Sequence, residues 1–114
     1  MTCAETPRNV RGMTIRGAVV DDETRCAHWR GDDDVLAILF PCCSAWYPCY
    51  ACHEDHSGHE AVRWRADQND CRALLCGRCG ETMSIRHYRA TGMCDACGGR
   101  FNEGCRLHHH LYFA

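Results

Sequence analysis

Apolar residues fall in short groups separated by polar and turn-forming stretches, and the longest unbroken run is the six-residue Val35–Phe40. That run ends at Pro41 and is rich in β-formers, which predicts a short buried strand delivering Cys42 and Cys43. Thr14–Val20 is a weaker strand candidate broken by Gly17, and Arg72–Leu75 a short strand running into Cys76. Cys49–Glu60 lacks proline and predicts a short helix, on which His53 and His56, three apart, share one face. Ser84–Arg89 has the length of a single helical turn, and Asp67–Asp70 reads as a polar turn. Residues 1–12 are polar and Arg-bearing, with Pro7 and Gly12, and read as a loose lead-in. The chain closes on the aromatics Phe101, Tyr112 and Phe113. No low-complexity or Pro-rich linker divides it. One domain over residues 13–114 is expected, in two metal-organised lobes, about 24–61 and about 72–114, joined near residues 62–72.

Composition changes this picture. Val, Ile, Leu and Phe together make up about 15% of the 114 residues, below the roughly 20% at which burial usually offsets chain entropy. Twelve Cys and eight His accompany that thin apolar content. Disulfides or metal must therefore supplement the core. Disulfide frameworks belong to exported proteins, and Met1–Val20 carries three arginines and no apolar stretch of signal-peptide type. No run approaches the roughly 20 residues of a membrane helix. An intracellular, cytoplasmic location and metal-bound cysteines are the expectation.

The basic set is 13 Arg and no Lys against 15 acids, a net charge of −2. Three Zn²⁺ and nine ligating thiolates would take it to about −5. That is a poor match to nucleic acid, whose binders show a basic patch first. The acidic runs Asp21–Glu23 and Asp32–Asp34 read as solvated turns.

The strongest chemical signal is the pair Cys76-Gly77-Arg78-Cys79-Gly80 and Cys94-Asp95-Ala96-Cys97-Gly98, two knuckles with 14 residues between Cys79 and Cys94. Two residues between thiolates allow a tight turn to aim both sulfurs at one ion about 2.3 Å away, and the following glycine tolerates the unusual backbone and admits amide N–H groups to the sulfurs. Two such knuckles complete a closed four-thiolate site. The first half holds eight more ligand-type residues: Cys26, His28, Cys42, Cys43, Cys49, Cys52, His53 and His59. Cys49 and Cys52 form a third knuckle, and Cys26 and His28 project to the same side of an extended segment, so these four make one natural site. Cys42, Cys43, His53 and His59 then make another. Adjacent Cys42 and Cys43 reach one ion only through a turn, and sharing them between sites is the alternative, as is His56 in place of His59.

At these residues the sequence resembles the CHY-type zinc finger family, over about Val10 to Phe113. The resembling segments are Arg25-Cys26-Ala27-His28-Trp29, Ala37–Cys43, Tyr47–His53, the two knuckles, and Phe101–Phe113. The resemblance implies three zinc ions held by the same twelve residues, Cys26, His28, Cys42, Cys43, Cys49, Cys52, His53, His59, Cys76, Cys79, Cys94 and Cys97. Trp29 stands where the signature has Tyr, a position that is not a ligand. One branch of the family precedes a RING domain in ubiquitin ligases, and this sequence contains no RING. The other comprises small stand-alone members, a helper of small translocase-chaperone assembly and bacterial and archaeal relatives among them. The fold class expected is a small metal-organised α+β domain of zinc-stabilised short strands and short helices, with a zinc-ribbon-like C-terminal lobe.

Cys3 and Cys71 fall outside the twelve and read as free thiols. Cys105 and His108 have the spacing of a further ligand pair, with only His109 and His110 left to complete a fourth site, and read instead as part of a packed C-terminal turn. His87 reads as exposed. Trp29, Trp46, Trp64, Tyr47 and Tyr50 are expected to pack around the metal sites. No H-E-x-x-H accompanies His53-Glu54, and closed sites leave no open position for a catalytic water. The function expected is a non-catalytic zinc-binding module serving interaction with a protein partner, with a zinc-handling or thiol-redox helper as the alternative. No nucleic acid, membrane or small-molecule substrate is expected.

Overall fold

The computed structural model describes residues 8–101 and 112–113. In chain order the elements are β1 (Arg8–Val10), β2 (Met13–Ile15), β3 (Leu36–Phe40), β4 (Ala45–Tyr47), α1 (Tyr50–His56), a 3₁₀ turn at Ala66–Gln68, β5 (Leu74–Cys76), β6 (Thr82–Met83) and α2 (Ile85–Thr91). The strands form one sheet in the order β1-β2-β4-β3-β5-β6. All neighbours are antiparallel except β2 and β4, which meet in parallel at Ile15 and Trp46. Short strands, short helices and three Cys/His clusters make this a small metal-organised α+β fold.

The central strand explains the sheet. Leu36, Ile38 and Phe40 of β3 point into one apolar cluster, and Ala37 into a second on the opposite face. The partners follow the same alternation: Leu74 and Cys76 lie with the first cluster and Leu75 with the second, Tyr47 with the first and Trp46 with the second. Both faces are thus covered, which is why the run reads as continuously apolar. The pairing of β3 with β4 on one side and with β5 on the other carries the sheet through both halves of the chain.

Local chemistry sets the element ends. Within the stretch read as a lead-in, Arg8–Val10 pairs with Met13–Ile15, and Arg11 and Gly12 turn the chain at φ 49° and 91°. Positive φ at both turn residues is what a tight hairpin matched to strand twist requires. The Asn9 carboxamide oxygen accepts from the Gly12 N–H at 3.0 Å. The strand expected over Thr14–Val20 stops at Ile15, ahead of Gly17 at φ 95°. Helix α2 ends two residues beyond the expected stretch, at Thr91: the Ser84 hydroxyl caps it by accepting from the His87 N–H at 3.1 Å, and Gly92 ends it at φ 64°.

Two arginines fasten the acidic turns. Arg25 pairs with Asp21 at 2.9 Å and Glu23 at 2.8 Å and donates to the carbonyls of Gly31 and Asp32. Arg78 pairs with Asp33 at 2.8 Å and donates to the carbonyls of Asp32 and Arg100. Of the runs read as solvated turns, Asp21–Glu23 is therefore tied to Arg25, and Asp32–Asp34 to the arginine of the first C-terminal knuckle as well. Of the aromatics expected around the metal sites, Tyr47 does pack there, whereas Trp46 lies in the opposite cluster and Trp29 is 41% exposed. The Trp64 indole N–H donates to the Leu39 carbonyl at 2.7 Å. Among the described residues, no helix is long and apolar enough to cross a membrane.

Candidate metal centres

Three sets of four side chains converge, each with ligand atoms within 4.8 Å of one another: Cys26, His28, Cys49 and Cys52; Cys42, Cys43, His53 and His59; and Cys76, Cys79, Cys94 and Cys97.

The first set is assembled from two elements. Cys26 and His28 lie in a turn closed by reciprocal backbone bonds between Cys26 and Trp29, and Cys49 and Cys52 bracket the start of α1. Cys49 is the N-cap of α1, and its sulfur accepts from the Cys52 N–H at 3.4 Å. The same turn therefore starts the helix and pairs the two sulfurs. His28 Nδ1 lies 3.8, 3.6 and 3.4 Å from the sulfurs of Cys26, Cys49 and Cys52, and its Nε2 lies 3.3 Å from Asp55 Oδ2.

The second set depends on the turn between β3 and β4. Ser44 at φ 52° returns its N–H to the Phe40 carbonyl at 2.9 Å. This tight reversal lets consecutive Cys42 and Cys43 face one point, with sulfurs 4.0 Å apart. His53 comes from α1, fully buried and stacked on Phe40 at 4.2 Å. Its Nε2 faces Cys42 Sγ at 3.4 Å and Cys43 Sγ at 3.8 Å. His59 arrives after the helix, its ring edge-on to His53 at 4.9 Å. His59 Nδ1 donates to the Ser57 carbonyl at 3.2 Å, which leaves Nε2 as its lone-pair nitrogen. The geometry thus gathers Cys42 and Cys43 in one set and takes His59, not His56, into it.

The third set sits on two turns. Cys76–Cys79 forms the β5–β6 connection, and Cys94–Cys97 is flanked by the bridge Met93–Arg100, a zinc-ribbon-like pair of knuckles. In each, the glycine after the second cysteine takes positive φ, 82° at Gly80 and 73° at Gly98, and returns its N–H to the first cysteine's carbonyl. That is the backbone state for which the spacing demands glycine. The sulfurs of Cys76 and Cys97 are 3.8 Å apart and those of Cys79 and Cys94 3.6 Å.

These distances fit zinc. Sulfurs about 2.3 Å from a tetrahedral ion lie about 3.8 Å apart, and a sulfur and an imidazole nitrogen about 3.6 Å. A disulfide needs about 2.05 Å. Protonation fits as well. Hydrogen bonding with Cys49, then with Cys52, pulls Cys26 down to about 2. The same contacts push Cys49 up strongly and Cys52 up to about 12. Burial pushes Cys76 up to about 12, and a backbone bond from Gly99 holds Cys97 below the ordinary thiol value. Burial, then the neighbouring His59, holds His53 below the usual imidazole value, so it offers a neutral ring. Crowded sulfurs that share protons so unequally are the donor set a divalent cation satisfies, since it favours every thiolate at once. Each of the three centres is able to hold a zinc ion.

Cys71 is half-buried and belongs to none of the centres. His87, expected to be exposed, is partly buried and its ring donates to the Met93 carbonyl at 3.1 Å. Cys3, Cys105, His108, His109 and His110 lie outside the described residues. Two polar residues at the centres escaped sequence reasoning, Asp55 and Ser57. The Ser57 hydroxyl donates to the His59 carbonyl at 2.9 Å and lies 3.4 Å from His53 Nδ1. Both had a legible signal: Asp55 stands three residues after Cys52 and Ser57 four after His53 in the expected helix, hence each on the same face as its partner.

Fold and donor sets together define a multi-zinc finger. The model of the CHY zinc finger family matches residues 26–107, and the chain belongs to that family. Helper of Tim protein 13 of Kluyveromyces lactis is 39% identical over 99 residues, 87% of each chain. Helper of Tim protein 13 of Saccharomyces cerevisiae is 39% identical over 103 residues, 87% of this chain and 89% of that one. An uncharacterised protein of Schizosaccharomyces pombe is 32% identical over 109 residues, 96% of each. No solved structure matches the chain significantly.

Proposed function

We propose that all twelve residues are zinc ligands, three ions per chain, and that the resulting module is structural and serves protein–protein interaction rather than catalysis. The observation that carries this reading is that each cluster supplies four donors to one point. Four protein ligands close a tetrahedral ion, and a catalytic zinc needs a position free for water. Closed thiolate-rich sites hold a small fold together. The surface left to a partner includes Trp29, 41% exposed, and the exposed acids Asp32 and Asp33 in the nearby turn. The relatives named as helpers of Tim proteins support a protein partner of that kind, met inside the cell.

A second reading, zinc handling for client proteins, is favoured by one observation. The second centre includes an exposed histidine, His59, carried after the end of α1. The two readings separate on release kinetics against a chromogenic chelator. The structural module keeps all three ions over hours. Fast, reversible loss of a single ion overturns it in favour of zinc handling.

A further inference from the structure

We propose that Asp55 is the positioning residue of the first centre: its carboxylate takes the Nε2–H of His28 and so fixes the ring with the Nδ1 lone pair toward the sulfurs of Cys26, Cys49 and Cys52. The proposal rests on the ligand assignment above. A neutral imidazole carries one ring proton, and a carboxylate 3.3 Å from Nε2 holds that proton there. Nδ1 is then the free donor, and it is Nδ1 that lies 3.4–3.8 Å from the three sulfurs.

Two further observations single Asp55 out. The ion pairs of Asp21, Asp22, Asp33, Asp67 and Asp70 are all with arginine, whereas Asp55 is paired with a histidine. The histidines of the second centre are held differently. Their Nδ1 atoms meet the hydroxyl and the carbonyl of Ser57, and their ligand nitrogen is Nε2. Among the three ligand-type histidines, His28 alone is held through a carboxylate, and it alone turns Nδ1 inward. Side-chain exposures of 23% for His28 and 27% for Asp55 keep the pair partly out of water. A carboxylate behind a ligating imidazole makes the ring more basic and orients it, and its loss typically weakens the metal 10–100-fold. Because Asp55 is on the helix that also supplies Cys52, it ties the His28 turn to α1 directly.

The test uses the full chain loaded with ¹¹³Cd. Donor sets of three sulfurs and one nitrogen, two and two, and four sulfurs give three separate cadmium resonances, and EDTA is titrated against them. In Asp55→Ala the three-sulfur resonance disappears at about 10–100-fold less EDTA than in the wild type, while the four-sulfur resonance, whose ligands lie outside α1, keeps its resistance and reports an intact fold. Asp55→Asn, which retains an acceptor without the charge, falls between. The ¹⁵N shifts of His28 report an Nε2 proton in the wild type and a loosened, exchanging ring in Asp55→Ala, a change that a merely structural role would not produce. Wild-type resistance of the three-sulfur resonance in Asp55→Ala overturns the proposal alone. Fewer than three resonances in the wild type overturns the ligand assignment and the proposal with it.

Discussion

Cys52 and His53 are consecutive residues of one helix and face different centres: Cys52 Sγ lies 3.4 Å from His28 Nδ1, and His53 Nε2 lies 3.4 Å from Cys42 Sγ. Successive helical positions are turned about 100° apart, so a helix edge wedged between two ligand sets serves both. Both residues are fully buried. Helix α1 has only seven residues, far below the length at which an isolated helix holds together in water. The ions and the packing against Phe40 and Tyr47 must hold it.

Loss of the first ion should therefore weaken the second. Cys52→Ala is expected to lower the zinc content by more than one ion per chain, because α1 then holds His53 less firmly. Cys79→Ala, in the separate four-thiolate centre, should lower it by one. Elemental analysis of the two purified variants checks this, and equal losses of one ion contradict it.

Gly77 shows how tightly the first knuckle packs on the acidic turn. A Cβ built there would stand 2.1 Å from the Glu23 carbonyl oxygen, and the Gly77 N–H already donates to the Val35 carbonyl at 2.6 Å. The obstacle is backbone, so neither partner can swing aside. Gly77→Ala should destabilise the zinc-loaded protein by roughly 1–3 kcal/mol or more. At about 4–8 °C per kcal/mol for a domain near this size, calorimetry resolves that easily. An unchanged melting temperature contradicts the contact.

Stability should fall on the acid side of neutrality. Burial holds His53 below the ordinary imidazole value, while in the unfolded chain a histidine takes up its proton near pH 6.5. Below about 6.5 the unfolded state therefore binds the proton first, and stability is lost as pH falls toward the folded value. Protons also compete with zinc for every thiolate, in the same direction. The denaturant midpoint should already decline between pH 8 and 7, where the thiols of the unfolded chain take up protons, and go on declining below 6.5 as His53 adds its own proton uptake. A midpoint that is flat or rising down to pH 5 contradicts this.

The elements that the sequence makes legible are those with chemistry or length enough to mark them. Val35–Phe40 stands out because both its faces are buried, and the C-terminal knuckles because their spacing and trailing glycines are dictated by the turn. Strand β4 does not stand out: three residues, Ala45–Tyr47, are too few for a period, and its place depends on the reversal at Ser44. Arg8–Val10 is polar apart from Val10 and becomes a strand only because Met13–Ile15 pairs with it. Cys49 caps α1 with a sulfur, a residue type that ordinary capping preferences pass over. The choice of His59 over His56 depends on the path of the chain after α1, through Gly58 at φ 77°. Ser57 shares a helical face with His53, four residues before it, but its contacts with His59 depend on the turn that follows α1.

Chelation should unfold the chain. A structural zinc in a small peptide contributes on the order of 10–16 kcal/mol of apparent binding energy, against about 5–15 kcal/mol for the whole stability of a domain. With so few aliphatic residues in the core, folding and metal loading should be a single event. Excess EDTA under reducing conditions is expected to collapse the dispersed amide spectrum, and readdition of zinc to restore it. A spectrum that stays dispersed after complete metal removal would show that packing alone suffices.

The zinc count itself tests the central claim most directly. Native mass spectrometry of protein expressed with added zinc should give one dominant species carrying three ions, with a proton lost for each thiolate engaged. A dominant species with two ions or fewer would contradict the twelve-ligand account.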